Sequence, residues 1–293
     1  MYHNCTLCPR KCGVDRTQTT GVCGVGSTLK LARAALHLWE EPCISGTRGS
    51  GTIFFSGCPL GCIYCQNRDI ALAKYGKEVP EERLLSIFYE LEAKGAHNIN
   101  LVTATHYIPT VAAAIRKAKA QGFSLPFVWN TSGYERVESL QLLNGLIDVY
   151  LTDLRYSSTP HAKAYSHAPD YPKVAREAIA EMVRQTGACK FDDDGMMTRG
   201  TLVRILLLPG GVGDAKLSLL RLWKTYGETI RLSIMQQYTP MAGMTPPLDR
   251  RVTPHEYEAL LDYALELGIE DAYIQEREAA EESFIPPFDQ TGV

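Results

Sequence analysis

What this chain lacks narrows its class first. No apolar run approaches the roughly 20 residues needed to cross a bilayer. The first dozen residues, MYHNCTLCPRKC, contain no apolar signal region. A cytoplasmic protein with no membrane partner is therefore expected. Surplus charge is missing too: 30 Lys and Arg stand against 33 Asp and Glu, a net charge of −3. That balance argues against a dominant basic footprint for nucleic acid, while leaving room for a local patch. There is no internal repeat and no low-complexity tract. The acidic run Asp192, Asp193, Asp194 before Gly195 lacks the ligand spacing of a calcium loop and reads as a solvated turn.

What is present in excess is cysteine. Nine is an odd number, which fits poorly with a complete disulfide framework. Seven of the nine fall in two clusters: Cys5, Cys8, Cys12 and Cys23, then Cys58, Cys62 and Cys65. In a reducing compartment such clusters suggest metal or iron–sulfur ligation. Cys43 and Cys189 stand alone and read as plain thiols.

The chain divides at about residue 50. Residues 1–50 read as a Cys-rich extension that could carry a metal site. Residues 51–293 alternate apolar strand-length runs with amphipathic helix-length segments. Strands are expected at 52–56, 98–104, 126–130, 148–153, 202–208 and 230–238. They carry β-branched or aromatic residues and little charge, as strands buried on both faces do. Helices are expected at 80–94, 110–121, 171–185, 214–226 and 253–268. The last shows a capping box in Thr253 and Glu256, Pro254 at the first helical position and a stop at Gly268. Residues 285–293 read as a loose tail. Six β–α units imply an α/β fold, either a parallel barrel or an open sheet, with active residues at the C-terminal strand ends.

The run FFSGCPLGCIYCQNRD, residues 54–69, spaces Cys58, Cys62 and Cys65 as C-x3-C-x2-C directly after the first of these strands. Thiolates are soft ligands for iron–sulfur clusters or zinc. Three of them complete neither a tetrahedral zinc site nor a four-iron cluster. A fourth protein ligand could close either one, whereas an open iron could take a small molecule.

This loop resembles the signature of the radical S-adenosylmethionine (SAM) superfamily, and its extension YCQNRD is similar to the branch of pyruvate formate-lyase-activating enzymes. CTLCPRKC (5–12), HLWEEP (37–42), GAHNINLV (95–102) and NTSGY (130–134) resemble an activating-enzyme-like subgroup. The resemblance implies a partial (β/α)6 parallel barrel of radical SAM type with a Cys-rich N-terminal extension. It implies a 4Fe–4S cluster on Cys58, Cys62 and Cys65, with SAM chelating the open iron. One electron would cleave SAM to methionine and a 5′-deoxyadenosyl radical, which abstracts hydrogen from a substrate. The expected enzyme is a radical SAM oxidoreductase that makes a glycyl radical on a partner protein. A radical enzyme acting on a small molecule, RNA or peptide is the second reading, and a non-enzymatic metal-binding protein the third. An electron donor such as a flavodoxin or ferredoxin is implied as a partner.

The resemblance also carries cofactor contacts, though no catalytic side chain is assigned. Tyr64 would pack near the adenine. The family's Gly-Gly-Glu-like stretch is replaced by VTATH, so Thr103, Thr105 and His106 are offered for the SAM amine. Asn130 and Ser132 would face the ribose. Asp153 and Arg155 share a face of their strand, with Arg155 for the SAM carboxylate. Arg204, a charge in an apolar strand, needs a partner or an aqueous interior. Either Gln236 or Gln237 should point inward, and Gln236 is taken as the contact. The pair Glu40 and Glu41 reads as surface or structural. Cys5, Cys8, Cys12 and Cys23 could close a zinc site, the preferred reading, or hold an auxiliary Fe–S cluster.

Overall fold

The structure, a computed structural model, describes residues 1–275 and 286–293. Its strands are β1 (Leu29–His37), β2 (Ser50–Phe55), β3 (Lys77–Val79), β4 (Ile99–Val102), β5 (Phe127–Thr131), β6 (Val149–Asp153), β7 (Lys190–Phe191), β8 (Met197–Leu206), β9 (Arg231–Met235) and β10 (Ala272–Ile274). They form one sheet in the order β10-β9-β8-β6-β5-β4-β2-β1-β3, with β7 paired to β8. From β2 through β10 every neighbour along that order is parallel. The six expected strands are thus contiguous in the sheet. Among the described residues the ladder ends at β10 and β3, so the barrel is partial.

Strands β2, β4, β5 and β6 are buried at every position. Helices cover their outer face. Leu84, Phe88 and Leu91 of Glu81–Ala93 and Ile115 of Ile108–Ala120 pack with Phe127 and Trp129 in one core cluster. A second cluster joins Tyr171–Thr186, Val212–Tyr226 and Pro254–Glu266 to β8 and β9. The capping box forms as expected: Thr253 accepts from the Glu256 amide, and Glu256 reaches back to the Thr253 amide at 2.9 Å. No helix among the described residues is long and apolar enough to cross a membrane.

Two elements differ from expectation. Regular structure begins before residue 51, because β1 pairs antiparallel with β2 over six residue pairs and extends the sheet. Its alternation is blurred by Ala32, Arg33, Ala34 and Ala35, which a period-2 reading does not register. The tail, where described, is not loose. Beyond the end of β3, the Ala34 amide donates to Thr291 and the Gln290 amide to Ala32. Phe288 sets its ring edge-on to Phe54 at 5.4 Å, and Arg33 pairs with Asp289 at 2.7 Å. The tail takes up β1 hydrogen-bonding groups that β3 is too short to reach. Ile285 lies outside the described residues.

Candidate active site

At the C-terminal ends of the parallel strands lies a cavity of about 450 Å³. One wall is the loop that follows β2. Gly57 opens it with φ +90°, and a Cβ there would come within 2.6 Å of the Cys23 carbonyl, so only glycine fits. The loop is tied down on several sides. The Cys58 amide donates to Cys23 O at 3.2 Å and the Ile63 amide to Tyr165 O at 2.9 Å. Arg10 clasps it through Pro59 O at 2.9 Å and Leu60 O at 3.0 Å, while also holding Ser166 O and His167 O. The Ser166 hydroxyl donates to Cys62 Sγ at 3.1 Å.

Cys58, Cys62 and Cys65 all line the cavity. Burial first, then the neighbouring sulfurs of Cys62 and Cys58, push the Cys65 thiol up to about 12. Burial likewise raises Cys58. Three soft donors near enough to feel one another, and costly to ionise alone, suit a cationic iron cluster that holds them as thiolates. Among the described residues no three His, Cys, Asp or Glu side chains converge tightly enough for a single metal ion. A four-iron cluster spreads its ligands over several ångströms and does not need that convergence.

Opposite the loop is a network of charges. Asp153 receives Arg204 Nε at 2.8 Å on one oxygen and Arg155 Nη2 at 2.7 Å on the other. Asp153 and Arg204 are register partners on β6 and β8. Arg204 also reaches Glu40 at 3.3 Å and Asn130 Oδ1 at 2.9 Å. Glu40 Oε1 in turn accepts from Asn130 and Asn100, at 3.0 and 3.1 Å. Burial works against both guanidinium charges, but Asp153 with Cys62 and Tyr64 at Arg155, and Asp153 with Glu40 and Glu41 at Arg204, outweigh it and hold both above the ordinary arginine range. Glu41 accepts from Ser233 at 3.0 Å, and its burial raises it despite Arg204 nearby. Two arginines therefore balance Asp153 and Glu40, with Glu41 biased toward its neutral form.

Of the residues offered as cofactor contacts, Tyr64, Thr103, Asn130, Ser132, Asp153, Arg155 and Arg204 line this cavity. Thr103 is held at φ +60°, a strained conformation for a threonine, with its amide on Asn130 O at 2.9 Å. Tyr64 is buried, accepts from the Tyr156 hydroxyl at 2.8 Å and meets Tyr156, Tyr165 and Tyr238 edge-on.

Three residues lie elsewhere. Thr105 donates to the buried Glu135 at 2.7 Å. His106 is fully enclosed, with Nε2 on Ser56 O at 2.9 Å, and burial together with Arg16 lowers it to about 3. The turn of helix at Thr105–Tyr107 carries both side chains behind the strand end. Gln237 lines the cavity, while Gln236 Nε2 donates to Gln275 O at 3.0 Å.

Glu40 and Glu41 were not expected here. They sit in the turn after β1, and the short helix Pro42–Ser45 folds that turn under the sheet. Ser45 Oγ bridges the Glu40 amide and His37 O, at 3.0 and 3.1 Å, and so fixes the turn. The sequence signal was the run HLWEEP, two adjacent acids between Trp39 and a proline, which the resemblance includes without giving them a role.

Comparison with known proteins follows the same lines. The family model described as the radical SAM superfamily matches residues 52–210. An uncharacterized protein of Methanocaldococcus jannaschii is 24% identical over 281 residues, spanning 93% of this chain and 78% of that one. Among solved structures, a radical SAM methyltransferase from Sphaerobacter thermophilus is similar at TM-score 0.52 and 15% identity, over 78% of this chain and 67% of that one. SuiB of Streptococcus suis is similar at TM-score 0.52 and 12% identity, over 78% of this chain and 49% of that one. The structure of anSMEcpe with bound AdoMet is similar at TM-score 0.52 and 12% identity, over 75% and 61%. At these identities the likeness is one of fold.

Proposed function

The chain belongs to the radical SAM superfamily, and from that membership we propose that it cleaves SAM reductively and passes the radical to a glycyl radical protein. The family implies SAM and a 4Fe–4S cluster as cofactors. Cys58, Cys62 and Cys65 would hold three irons and leave the fourth to SAM. When bound, the cluster supplies the electron that splits SAM into methionine and a 5′-deoxyadenosyl radical able to take a hydrogen atom. A one-electron protein of the flavodoxin or ferredoxin kind would be the donor.

The chain's own residues bind and orient. Arg155 commits Nη2 to Asp153 and lines the cavity, where its guanidinium would meet the methionine carboxylate. Asp153, gripped on its other oxygen by Arg204, fixes the plane of that guanidinium. Thr103, Asn130, Ser132 and Tyr64 line the cavity; Thr103 would offer a hydroxyl for the amine, Asn130 and Ser132 would face the ribose, and Tyr64 would form part of the adenine wall.

The observation that carries this reading is the meeting of the three-thiol loop and the arginine pair in one cavity. The cavity is sized for one cofactor-like ligand. An acceptor would then insert only its reacting end, as a polypeptide loop does. Trp39 and Ile274 at the cavity, each 60% exposed, offer apolar surface for such a loop. The test is anaerobic reconstitution with SAM, dithionite and a peptide bearing a glycyl-radical-type loop deuterated at the glycine Cα. Deuterium in the 5′-deoxyadenosine is expected. Product without deuterium sinks the activase reading, and no 5′-deoxyadenosine sinks the radical chemistry itself.

A further inference from the structure

The N-terminal cysteines are untouched by the reading above and carry an inference independent of it. Residues 1–28 contain neither helix nor strand. They are nonetheless folded tightly. The Cys5 amide donates to Val14 O and the Gly13 amide to Cys5 O, closing a loop around Cys8 and Cys12. A second turn, with the Gly24 amide on Gly21 O at 2.9 Å, brings Cys23 back to the first. A Cβ built on Gly21 would lie 3.2 Å from Cys23 Sγ and 3.5 Å from Cys12 Sγ, so the two sulfurs flank that glycine. Cys5, Cys8 and Cys23 are buried, and all four are free thiols.

Arg16 makes the neutral-thiol picture unsatisfactory. It is only 1% exposed, lies between the rings of Tyr2 and Tyr107, and points Nη1 at Cys5 Sγ from 3.8 Å. Its other bonds go to the carbonyls of Val25, Gly26 and His106. Among the described residues no carboxylate pairs with it. A buried guanidinium without an anion is costly. Four thiolates around a metal centre would provide the missing negative charge.

Zinc and a four-iron cluster ask for different spacings of their four sulfurs. Zinc bonded to sulfur at 2.3 Å draws its thiolates to about 3.8 Å from one another. No three ligands among the described residues converge for a single ion, neither here nor at Cys58, Cys62 and Cys65. Zinc, preferred from the sequence alone, is the alternative outcome of the metal analysis. We propose that Cys5, Cys8, Cys12 and Cys23 ligate a four-iron, four-sulfide cluster, counter-charged by Arg16 and set directly against the loop of Cys58. The bond from the Cys58 amide to Cys23 O joins the two cysteine sites. Metal binding supplies the folding energy of a segment that has no regular structure of its own.

The experiment is metal and sulfide analysis of the full chain carrying Cys58→Ala, Cys62→Ala and Cys65→Ala, reconstituted anaerobically with iron, sulfide and zinc all supplied. About four irons and four sulfides per chain are expected, with a brown colour that bleaches on dithionite. One zinc and no iron overturns the proposal, and so does the absence of both metals. Far-UV circular dichroism reports whether the triple variant folds. If it does not, the wild-type count decides: about eight irons per chain supports the second cluster, and about four overturns it.

Discussion

Arg155 and Asp153 show how single side chains set the character of the cavity. Both oxygens of Asp153 are taken by guanidinium groups, so the carboxylate orients rather than reacts. Arg155→Ala should weaken SAM binding by about tenfold to a hundredfold, the worth of a charge-assisted hydrogen bond. The visible spectrum of the cluster should be unchanged; equal SAM affinity in equilibrium dialysis would remove Arg155 from the site. His106 makes a different prediction, about stability. Burial, then Arg16, hold it at about 3, well below its ordinary value, so it is neutral when folded. Below an unfolded pKa of about 6.5 the unfolded chain binds the extra proton. Its contribution is therefore complete above that value and lost as pH falls, by about 1.4 kcal/mol per pH unit at most, until about pH 3. Urea midpoints measured from neutral pH to about pH 5 should fall more steeply for wild type than for His106→Gln. Parallel slopes would mean that His106 does not titrate as its burial requires. The polarity of these residues was legible in the sequence, but their direction was not. Thr103 and Thr105 lie two apart, yet a strained backbone at one and a helical turn at the other send them to different places.

Among the elements, the loop after β2 is the most constrained. Gly57→Ala would combine an unfavourable positive φ with a collision against Cys23 O. The substituted loop should shift and hold its iron poorly, seen as less than half the wild-type iron per chain after gel filtration. Full iron retention would show that the loop has slack which this geometry does not. Helix Pro254–Glu266 is the opposite case, since its capping box, first-turn proline and stop all lie within one short stretch. It was readable because every determinant is local. Strand β1 was not, because its alanine-rich middle becomes a strand only when β2 supplies the opposite edge.

For the whole molecule, the described tail and the sheet edge depend on each other. Deleting residues 286–293 removes the backbone bonds to Ala32 and Ala34, the Phe288 contact with Phe54 and the pairing of Arg33 with Asp289. The exposed ion pair contributes at most about 1 kcal/mol, so the backbone and ring contacts dominate. The deletion should lower the thermal midpoint and increase self-association in light scattering, as an uncovered strand edge invites pairing. A monomer of unchanged midpoint would show that the tail merely lies there. The sequence by itself determined the spacing of the three cysteines after a strand, the alternation that produces a parallel sheet, and the helix caps. Each of those depends on residues a few positions apart, where chain geometry leaves little choice. Only the tertiary structure decided that Glu40 meets Arg204 across 164 positions of sequence, that Gln237 rather than Gln236 faces the cavity, and that Cys23 lies against Cys58. Those contacts depend on how the sheet curves and where its turns fold back, which is settled by packing of the whole chain and not by any local pattern.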